Sequence, residues 1–570
     1  MTVCTVVSEW LDAVVLLVYV WIQVVISAVF GPPKPRKAQF GHVAVIGAGV
    51  TGISTASQLI SHGFEVTIFE THDQIGGIWS CVNSTSGLQI NSILYRFHPK
   101  VIWDSWYPHR DQVLKNVRNI WTSYNLESRT RFNTRVTRID RHASSEYNER
   151  DGGHSRWVIN GNQSEVYDGI VATVGTCGEP RMISLPGMDD FRGEIVHSSK
   201  LDDVNLKGKR VVIIGGGASG VEALERAVDE QAASTTIIAR SDKWFIPRNL
   251  LVDTLLSMQP FGRETRLSRI PEFLLARFHY RDLCEKMLPT QGFYTGTPVV
   301  NQMSLQYIRE GKADYQRGDI IGLDKDGINW NARRRGQRKG SEGTHEHMDA
   351  DVIILAAGFQ RPKLDFLPVD LFPAGYVRNG ANRTPPDMYL QVFPVTDWSV
   401  LCTNATFDDA VGTVGHIHIG IFARILATVR YYANSSSWSP SLVRIHLACG
   451  CGWIQFALSR SLRPVASLNS SPTWNYACGL LASLFSAVAS RCVFADSTLF
   501  SSCSALVIST KCLKPPSSVL SLVVENPLQF SYVCGYIPSL GTLGTGVLPS
   551  TARQIDTVLL GRCDHTHVFS

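Results

Sequence analysis

The sequence has no marked excess of either charge, since 54 Lys and Arg face 49 Asp and Glu and leave a net charge of +5 over 570 residues. It also has no Lys- and Arg-rich run with interleaved aromatic residues, so a nucleic-acid partner is not expected. The 13 cysteines are an odd number in a long chain, which excludes a small disulfide scaffold. These absences favour a large globular protein of several domains.

The C-terminal segment 435–570 has few charges. It holds 12 charged residues, eight of the 13 cysteines and 25 serines, and it lacks sustained helical or strand periodicity. We interpret it as an anomalous tail that does not belong to the globular body. A shifted reading frame or a retained intron would produce such a sequence, and a genuine membrane-associating extension is the alternative.

The N-terminal segment is apolar, and 13–30 contains no charged residue. As a helix it would cover about 27 Å, close to the thickness of a bilayer core. Lys34, Arg36 and Lys37 follow it, whereas two acidic residues precede it, so the positive-inside rule predicts a cytosolic body. We therefore predict a single-pass transmembrane anchor at 11–30, with the endoplasmic reticulum as the expected membrane. An interfacial helix and a cleaved signal are the alternatives.

The body opens with a dinucleotide-binding fingerprint. A buried-strand pattern at 42–46 leads into GxGxxG, a helical pattern follows, and a second strand at 64–69 ends at Glu70. The fingerprint glycines are Gly47, Gly49 and Gly52. Glycines let the backbone turn tightly against a pyrophosphate, and an acid after the second strand accepts hydrogen bonds from a ribose diol. The strand, helix, strand and acid together predict a dinucleotide site.

A second fingerprint follows a strand pattern at 210–214, and its glycines are Gly215, Gly217 and Gly220. Its second strand ends in Arg240 instead of an acid, and a cation at this place suits the 2′-phosphate of NADP(H). The alternative is that Arg240 is an ordinary surface charge. Two different nucleotide sites imply electron transfer between two cofactors, and a flavin with a nicotinamide is the simplest pair. The body lacks a CxxC pair, so a disulfide reductase is not expected.

Further motifs give the body a family resemblance. From 43 to 432 it resembles the flavin-containing monooxygenases and their Baeyer–Villiger relatives, in particular the members from fungal secondary metabolism. The motifs are Gly76–Trp79 (GGxW), Leu88–Ser92, Asp168–Gly175, Phe191–His197 (FxGxxxH) and Asp351–Phe359. One residue departs from the pattern: Leu201 stands four positions after His197, where the Baeyer–Villiger enzymes have Trp.

The resemblance implies an α/β fold with two Rossmann-type domains behind an N-terminal membrane helix. The FAD domain would be discontinuous, at 40–185 and 351–432, with the NADP domain inserted at 186–350. The resemblance also assigns cofactor-binding roles to Gly77, Trp79 and Asn91, and it gives Val136 backbone contact with the flavin's adenine. Core packing is the alternative for Trp79. Asn91 is also the candidate catalytic residue, with a turn or cap role as the alternative. His197 is expected to link the two domains, and the alternative is a proton carrier.

The activity that the resemblance implies is an NADPH-dependent oxygenation on FAD. One oxygen atom from O2 would enter a small lipophilic metabolite by hydroxylation or epoxidation. A fungal polyketide is the expected substrate, and the depudecin-pathway monooxygenases are one candidate group. An uncoupled NADPH oxidase and an inactive flavoprotein are the alternatives. No metal site is expected, because His416 and His418 lack a third ligand at suitable spacing.

Overall fold

The chain divides into two compact units in a computed structural model, one of 1–435 with 454–487 and one of 436–453 with 488–570. The described residues are 3–33, 37–93, 95–143, 155–249, 252, 266–296, 298–301, 303–377, 388, 392–403, 417–434, 508–511, 519–526 and 529–533. In the second unit they form an antiparallel sheet of β17 (Ile508–Lys511), β18 (Val519–Asn526) and β19 (Gln529–Val533). The tail thus contains strands that its periodicity did not indicate.

The first unit contains the remaining elements. Its helices are α1 (Val3–Phe30), α2 (Val50–Ser61), α3 (Arg110–Ser123), α4 (Ala218–Asp229), α5 (Arg269–Leu274), α6 (Cys284–Met287), α7 (Met303–Arg309) and α8 (Ile417–Asn434). The strands are β1 (His42–Ile46), β2 (Glu65–Phe69), β3 (Thr130–Arg131), β4 (Ile139–Arg141), β5 (Trp157–Ile159), β6 (Gly169–Ala172), β7 (Glu194–His197), β8 (Arg210–Ile214), β9 (Ser234–Ala239), β10 (Phe245–Ile246), β11 (Val299–Val300), β12 (Asp314–Leu323), β13 (Gly327–Ala332), β14 (Thr344–Asp349), β15 (Val352–Leu355) and β16 (Val400–Leu401).

The first lobe is built on a parallel sheet with the strand order β16-β6-β1-β2-β3. Residues 43–46 of β1 are buried because the sheet is covered on its faces, which explains the unbroken apolar run. Helix α2 is buried along its whole length and packs against both β1 and α8. The hydroxyl of Ser54 donates to the Phe97 carbonyl at 2.6 Å, which satisfies a polar group in this packed helix.

The second lobe is built on a mixed sheet with the order β14-β13-β12-β9-β8-β15-β7. Strands β7, β15, β8, β9 and β12 run parallel, and β12, β13 and β14 form an antiparallel meander at one end. Strand β12 serves both parts, because its first half pairs with β9 and its second half with β13. The α/β class predicted from the sequence is confirmed by these two sheets.

One predicted boundary is wrong. We expected the chain to return to the first lobe at 351, but β15 lies between β7 and β8 in the second sheet. The side chain of Asp351, just before β15, forms an ion pair at 2.8 Å with Arg210 at the start of β8. The described strand that does return to the first sheet is β16, which pairs with β6. An apolar run such as Val352–Leu355 is typical of any parallel strand that is buried on both faces. The sequence pattern therefore does not indicate which of the two sheets the strand joins.

Helix α1 is long and apolar enough to cross a membrane, with a mean hydropathy of 2.5 over Asp12–Phe30. It is the single helix with these properties among the described residues. Within it, however, Gln23 is fully buried against the first lobe. The helix therefore has a protein-facing side as well as an exposed side.

Candidate functional site

The first fingerprint forms a tight turn between β1 and α2. Gly47 has φ +111°, and a Cβ there would lie 2.9 Å from the Thr173 carbonyl oxygen. A Cβ on Gly52 would lie 1.9 Å from the Gly47 carbonyl oxygen, so α2 could not approach the turn with any larger residue. Gly49 caps the start of α2. The first turn of a helix has N–H groups without intrahelical partners, which suits a pyrophosphate.

The carboxylate of Glu70 is held at the end of β2, facing this turn. Its Oε2 accepts the N–H of Ala48 at 2.7 Å, and its Oε1 accepts the N–H of His72 at 2.9 Å. Glu70 is buried, so these bonds fix the orientation of the carboxylate. Each carboxylate oxygen has a second acceptor position. Glu70 can therefore accept a ribose hydroxyl while it stays bound to the turn.

The GGxW motif packs directly on the fingerprint. The N–H of Gly76 donates to the Ala48 carbonyl at 3.0 Å, and a Cβ on Gly77 would lie 3.1 Å from the Cα of Gly49. Two backbone segments without side chains thus lie next to each other. Their glycines leave the backbone accessible, as the close approach of a diphosphate requires. The indole N–H of Trp79 donates to the Tyr95 hydroxyl at 2.8 Å. Trp79 is half-buried and is oriented by this bond.

Asn91 and Val136 lie on two other loops of the first lobe. Asn91 is buried, and the N–H of the next residue, Ser92, donates to the Trp106 carbonyl at 2.8 Å. Val136 packs in the core with Phe69. On either side of Val136, the side chain of Asn160 accepts the Thr137 N–H and donates to the Arg135 carbonyl, both at 2.9 Å. Asn160 therefore fixes the backbone that the resemblance assigns to adenine.

The second fingerprint repeats the same construction between β8 and α4. Gly215 has φ +119°, and a Cβ there would lie 2.6 Å from the Ala356 carbonyl oxygen. A Cβ on Gly220 would lie 1.9 Å from the Gly215 carbonyl oxygen. Around Gly217, which caps α4, a Cβ would meet no atom within 4 Å. The space above this turn is open to a ligand.

Arg240 follows β9, and its side chain is 66% exposed. Its Nε lies 3.6 Å from Asp319 Oδ1, and Arg333 Nε lies 2.9 Å from the other oxygen of the same carboxylate. Arg333 also donates to the Arg240 carbonyl at 2.5 Å. Arg333 is a basic residue that the sequence reasoning missed. The signal was the run of three arginines at 333–335, which falls between two strands of the meander.

Two contacts join the lobes near these turns. Asn83 donates to the Ser198 carbonyl at 2.6 Å and accepts the Leu201 N–H at 2.8 Å. The side chain of Gln89 donates to Glu222 on α4 at 3.1 Å. Burial raises the pKa of Glu222 to about 7. Leu201, the departure from the family pattern, is buried in the core of the second lobe.

His197 is the last residue of β7 and lies beside the end of β15. Its Nδ1 accepts the Ser199 N–H at 3.2 Å, so Nε2 carries the proton and donates to the Gly358 carbonyl at 3.0 Å. Burial lowers the pKa of His197, although its bond to Gly358 opposes this shift. A neutral imidazole with both nitrogens occupied suits a structural role. Of the two further candidates, His416 lies outside the described residues, as does the side chain of His418 on α8.

The comparison with known families addresses the same part of the chain. Residues 41–258 match the model described as flavin-binding monooxygenase-like. This segment is therefore similar to the flavin-binding monooxygenases. The match confirms the resemblance drawn from the motifs, and it includes both fingerprints, Asn91, Val136 and Arg240.

Individual relatives agree with this assignment. A Baeyer–Villiger monooxygenase of Pseudomonas aeruginosa is 28% identical over 224 residues, which cover 38% of this chain and 40% of that protein. The FAD-binding monooxygenase lolF2 of Epichloe uncinata is 29% identical over 346 residues, which cover 56% of this chain and 60% of that protein. The chain thus spans two to three fifths of these relatives.

The fold also matches a solved structure. An oxidised steroid monooxygenase bound to NADP has a TM-score of 0.54 with this chain at 18% identity. The match covers 79% of this chain and 98% of that structure. At this level of identity the similarity concerns the fold.

Proposed function

We propose that the chain is an FAD- and NADPH-dependent monooxygenase. The proposal rests on two glycine fingerprints in one chain. In each, the strand after the fingerprint helix is followed by a charged residue, and the two residues have opposite charge. Glu70 follows β2 in the first lobe, and Arg240 follows β9 in the second lobe. An acid accepts from the ribose diol of FAD, and a cation attracts the 2′-phosphate of NADPH. The chain would thus bind two different nucleotides in joined lobes.

The residues of the first lobe fit FAD. The backbone between Gly49 and Gly77 is bare, Glu70 is held facing the turn, and the Val136 backbone is fixed by Asn160. When bound, FAD accepts hydride from NADPH and passes electrons to O2. The task of the protein is to hold both nucleotides and exclude water. We propose that Asn91 donates hydrogen bonds beside the flavin ring from its buried position.

The residues of the second lobe fit NADPH in the same way. The open space at Gly217 admits the diphosphate, and Arg240 lies at the end of the neighbouring strand. The side chain of Arg333 is buried, and it bonds to Asp319 and to the Arg240 carbonyl, so it supports the backbone and the anionic partner of Arg240. The exposed guanidinium of Arg240 can then face a phosphate. His197 and Asn83 would hold the lobes in register for hydride transfer.

We further propose a small lipophilic substrate, with a fungal polyketide as the more specific candidate and hydroxylation or epoxidation as the reaction. The apolar helix α1 would attach the chain to the cytosolic face of a membrane, such as the endoplasmic reticulum. Its Tyr19 hydroxyl lies 3.3 Å from the Ser92 hydroxyl, beside Asn91. This contact supports a site close to the attachment surface, where lipophilic compounds concentrate.

The test uses the full chain purified with FAD. Bound flavin should be reduced by NADPH much faster than by NADH under anaerobic conditions. In isotopically labelled O2, a substrate panel of polyenes and ketones should then yield a product with one labelled oxygen. Peroxide release with every substrate would establish the oxidase instead. Failure to retain FAD would contradict the proposal at its first step.

A further inference from the structure

Helix α1 has a polar, protein-facing stripe. Tyr19 stacks on Trp106 with ring centroids 4.9 Å apart and an interplanar angle of 20°. One turn later Gln23 is fully buried, and Ser27 follows at the same spacing. The stripe rests on the loop that follows Asn91. It is narrow, as one line of contact along a helix must be.

Gln23 is the centre of this stripe. Its Nε2 donates to the Trp103 carbonyl at 2.8 Å, and its Oε1 accepts the Trp103 N–H at 2.8 Å and an Arg96 N–H at 3.0 Å. A buried amide with this many partners is specific for its position. The chain after α1 is also tied to the first lobe, since the Tyr124 hydroxyl donates to the Pro32 carbonyl at 2.9 Å.

Much of the remaining helix surface is apolar and exposed. The large exposed hydrophobic residues of α1 are Trp10, Val14, Val15, Leu17, Val18, Trp21, Ile22, Val24, Val25, Val29 and Phe30. A continuous exposed apolar surface of this kind marks a site of interaction with a membrane or a protein.

A membrane-spanning arrangement conflicts with the docked stripe. Trp21 and Gln23 lie within two residues of the middle of Asp12–Phe30. Spanning would place both at the bilayer centre, although Trp favours the interface and polar side chains avoid hydrocarbon. It would also separate Gln23 from Arg96 and Trp103, because the body cannot follow it into the bilayer. The backbone groups of Trp103 would then lose their partners.

We propose that α1 lies flat in the surface of an anionic phospholipid bilayer, with its stripe still docked on the first lobe. The inference rests on the proposed membrane attachment and specifies its geometry. Charge supports it: Lys34, Arg36 and Lys37 follow the helix, and Lys100 lies beside Gly31. Basic residues at one end of an interfacial apolar helix attract anionic headgroups.

This geometry has a consequence for the substrate. The stripe contacts Ser92 through Tyr19, and the lipid-facing side is one helix diameter away, about 10 Å. The proposed flavin site is therefore next to the lipid surface, and an apolar substrate can reach it from the bilayer without crossing bulk water. The docked helix would act as a fixed spacer between the bilayer and Asn91.

The first test measures binding and topology of the full chain. It should float with vesicles of phosphatidylcholine and phosphatidylserine, and more weakly with phosphatidylcholine alone. An N-glycosylation tag placed before Met1 should stay unmodified in microsomes. Glycosylation of the tag would show that the helix spans and would overturn the inference, while NADPH-dependent flavin reduction would still support the proposed function. Absence of flotation, or assembly of the chain through α1 into a dimer, would also overturn the inference.

A crossed pair of variants separates the two sides of the helix. V25Q changes an exposed residue and should weaken vesicle binding about tenfold, with no change in the thermal midpoint of the body. Q23L removes the buried amide and should lower that midpoint by about 3–8 °C. If α1 spans instead, Q23L would improve insertion and leave the body as stable as wild type. That result would contradict the docked geometry.

Discussion

Two glycines of the second fingerprint should respond in opposite ways to the same added methyl group. At Gly217 the backbone has φ −85°, which any residue adopts, and a Cβ meets no atom within 4 Å. We expect G217A to change the free energy of unfolding by less than about 1 kcal/mol, because reduced freedom of the unfolded chain and a poorer helix cap nearly cancel. The methyl group would nevertheless occupy the space of the NADPH diphosphate, and the affinity should fall at least about tenfold.

Gly220 provides the matched comparison. Its added Cβ would lie 1.9 Å from the Gly215 carbonyl oxygen, so α4 would have to move away from β8. We expect G220A to cost about 3 kcal/mol or more, as overpacking in a core does.

The assays are thermal unfolding by circular dichroism and the NADPH dependence of anaerobic flavin reduction. FAD content is the internal control, since G217A should keep its flavin in the first lobe. Two results would refute the reasoning: NADPH affinity of G217A equal to that of wild type, or equal unfolding midpoints for G217A and G220A. Unchanged NADPH affinity would show that the diphosphate does not bind at this turn. Equal unfolding midpoints would show that α4 is not closely packed at Gly220.

Three further outcomes follow from the geometry. R240A should raise the KM for NADPH about tenfold or more and leave the KM for NADH unchanged, because we propose that this cation attracts the extra phosphate of NADPH. R192A, at 70% exposure, is the matched control, and equal effects of the two substitutions would make Arg240 an ordinary surface charge. Because burial raises the pKa of Glu222 from 4.5 to about 7, the folded state binds its proton more tightly, so stability should fall by at most about 3 kcal/mol as the pH rises from 4.5 to 7. E222Q should flatten this part of the profile of thermal midpoint against pH, and an unchanged profile would refute the assignment. N91A should release more peroxide per NADPH consumed without slowing flavin reduction, whereas slowed reduction with unchanged peroxide would place Asn91 elsewhere.

The two fingerprints could be predicted from local sequence patterns. A short apolar strand, a glycine turn and a helix follow one another directly, so the residues that make the turn are also neighbours in the chain. Glu70 and Arg240 could be predicted for the same reason, since each immediately follows the second strand of its fingerprint.

Contacts between remote residues were not predictable in this way. Asn83 bonds to Ser198 and Leu201 across more than 100 residues, and nothing near Asn83 in the sequence indicates these partners. The partners of Gln23, Arg96 and Trp103, also lie far along the chain, and nothing in the apolar run around Gln23 indicates them. A local pattern indicates which type of element a segment forms, but it does not identify the remote residues that contact that element.

The late positions of two strands affect how the chain is made. A nascent chain that ends before residue 350 lacks both β15 and β16. The second sheet then has a gap between β7 and β8, and the first sheet lacks its edge strand beside β6. Until the ribosome releases these strands, unpaired edges of both sheets are open to chaperones and to aggregation. Nonsense mutations before codon 400 should therefore leave no working fragment.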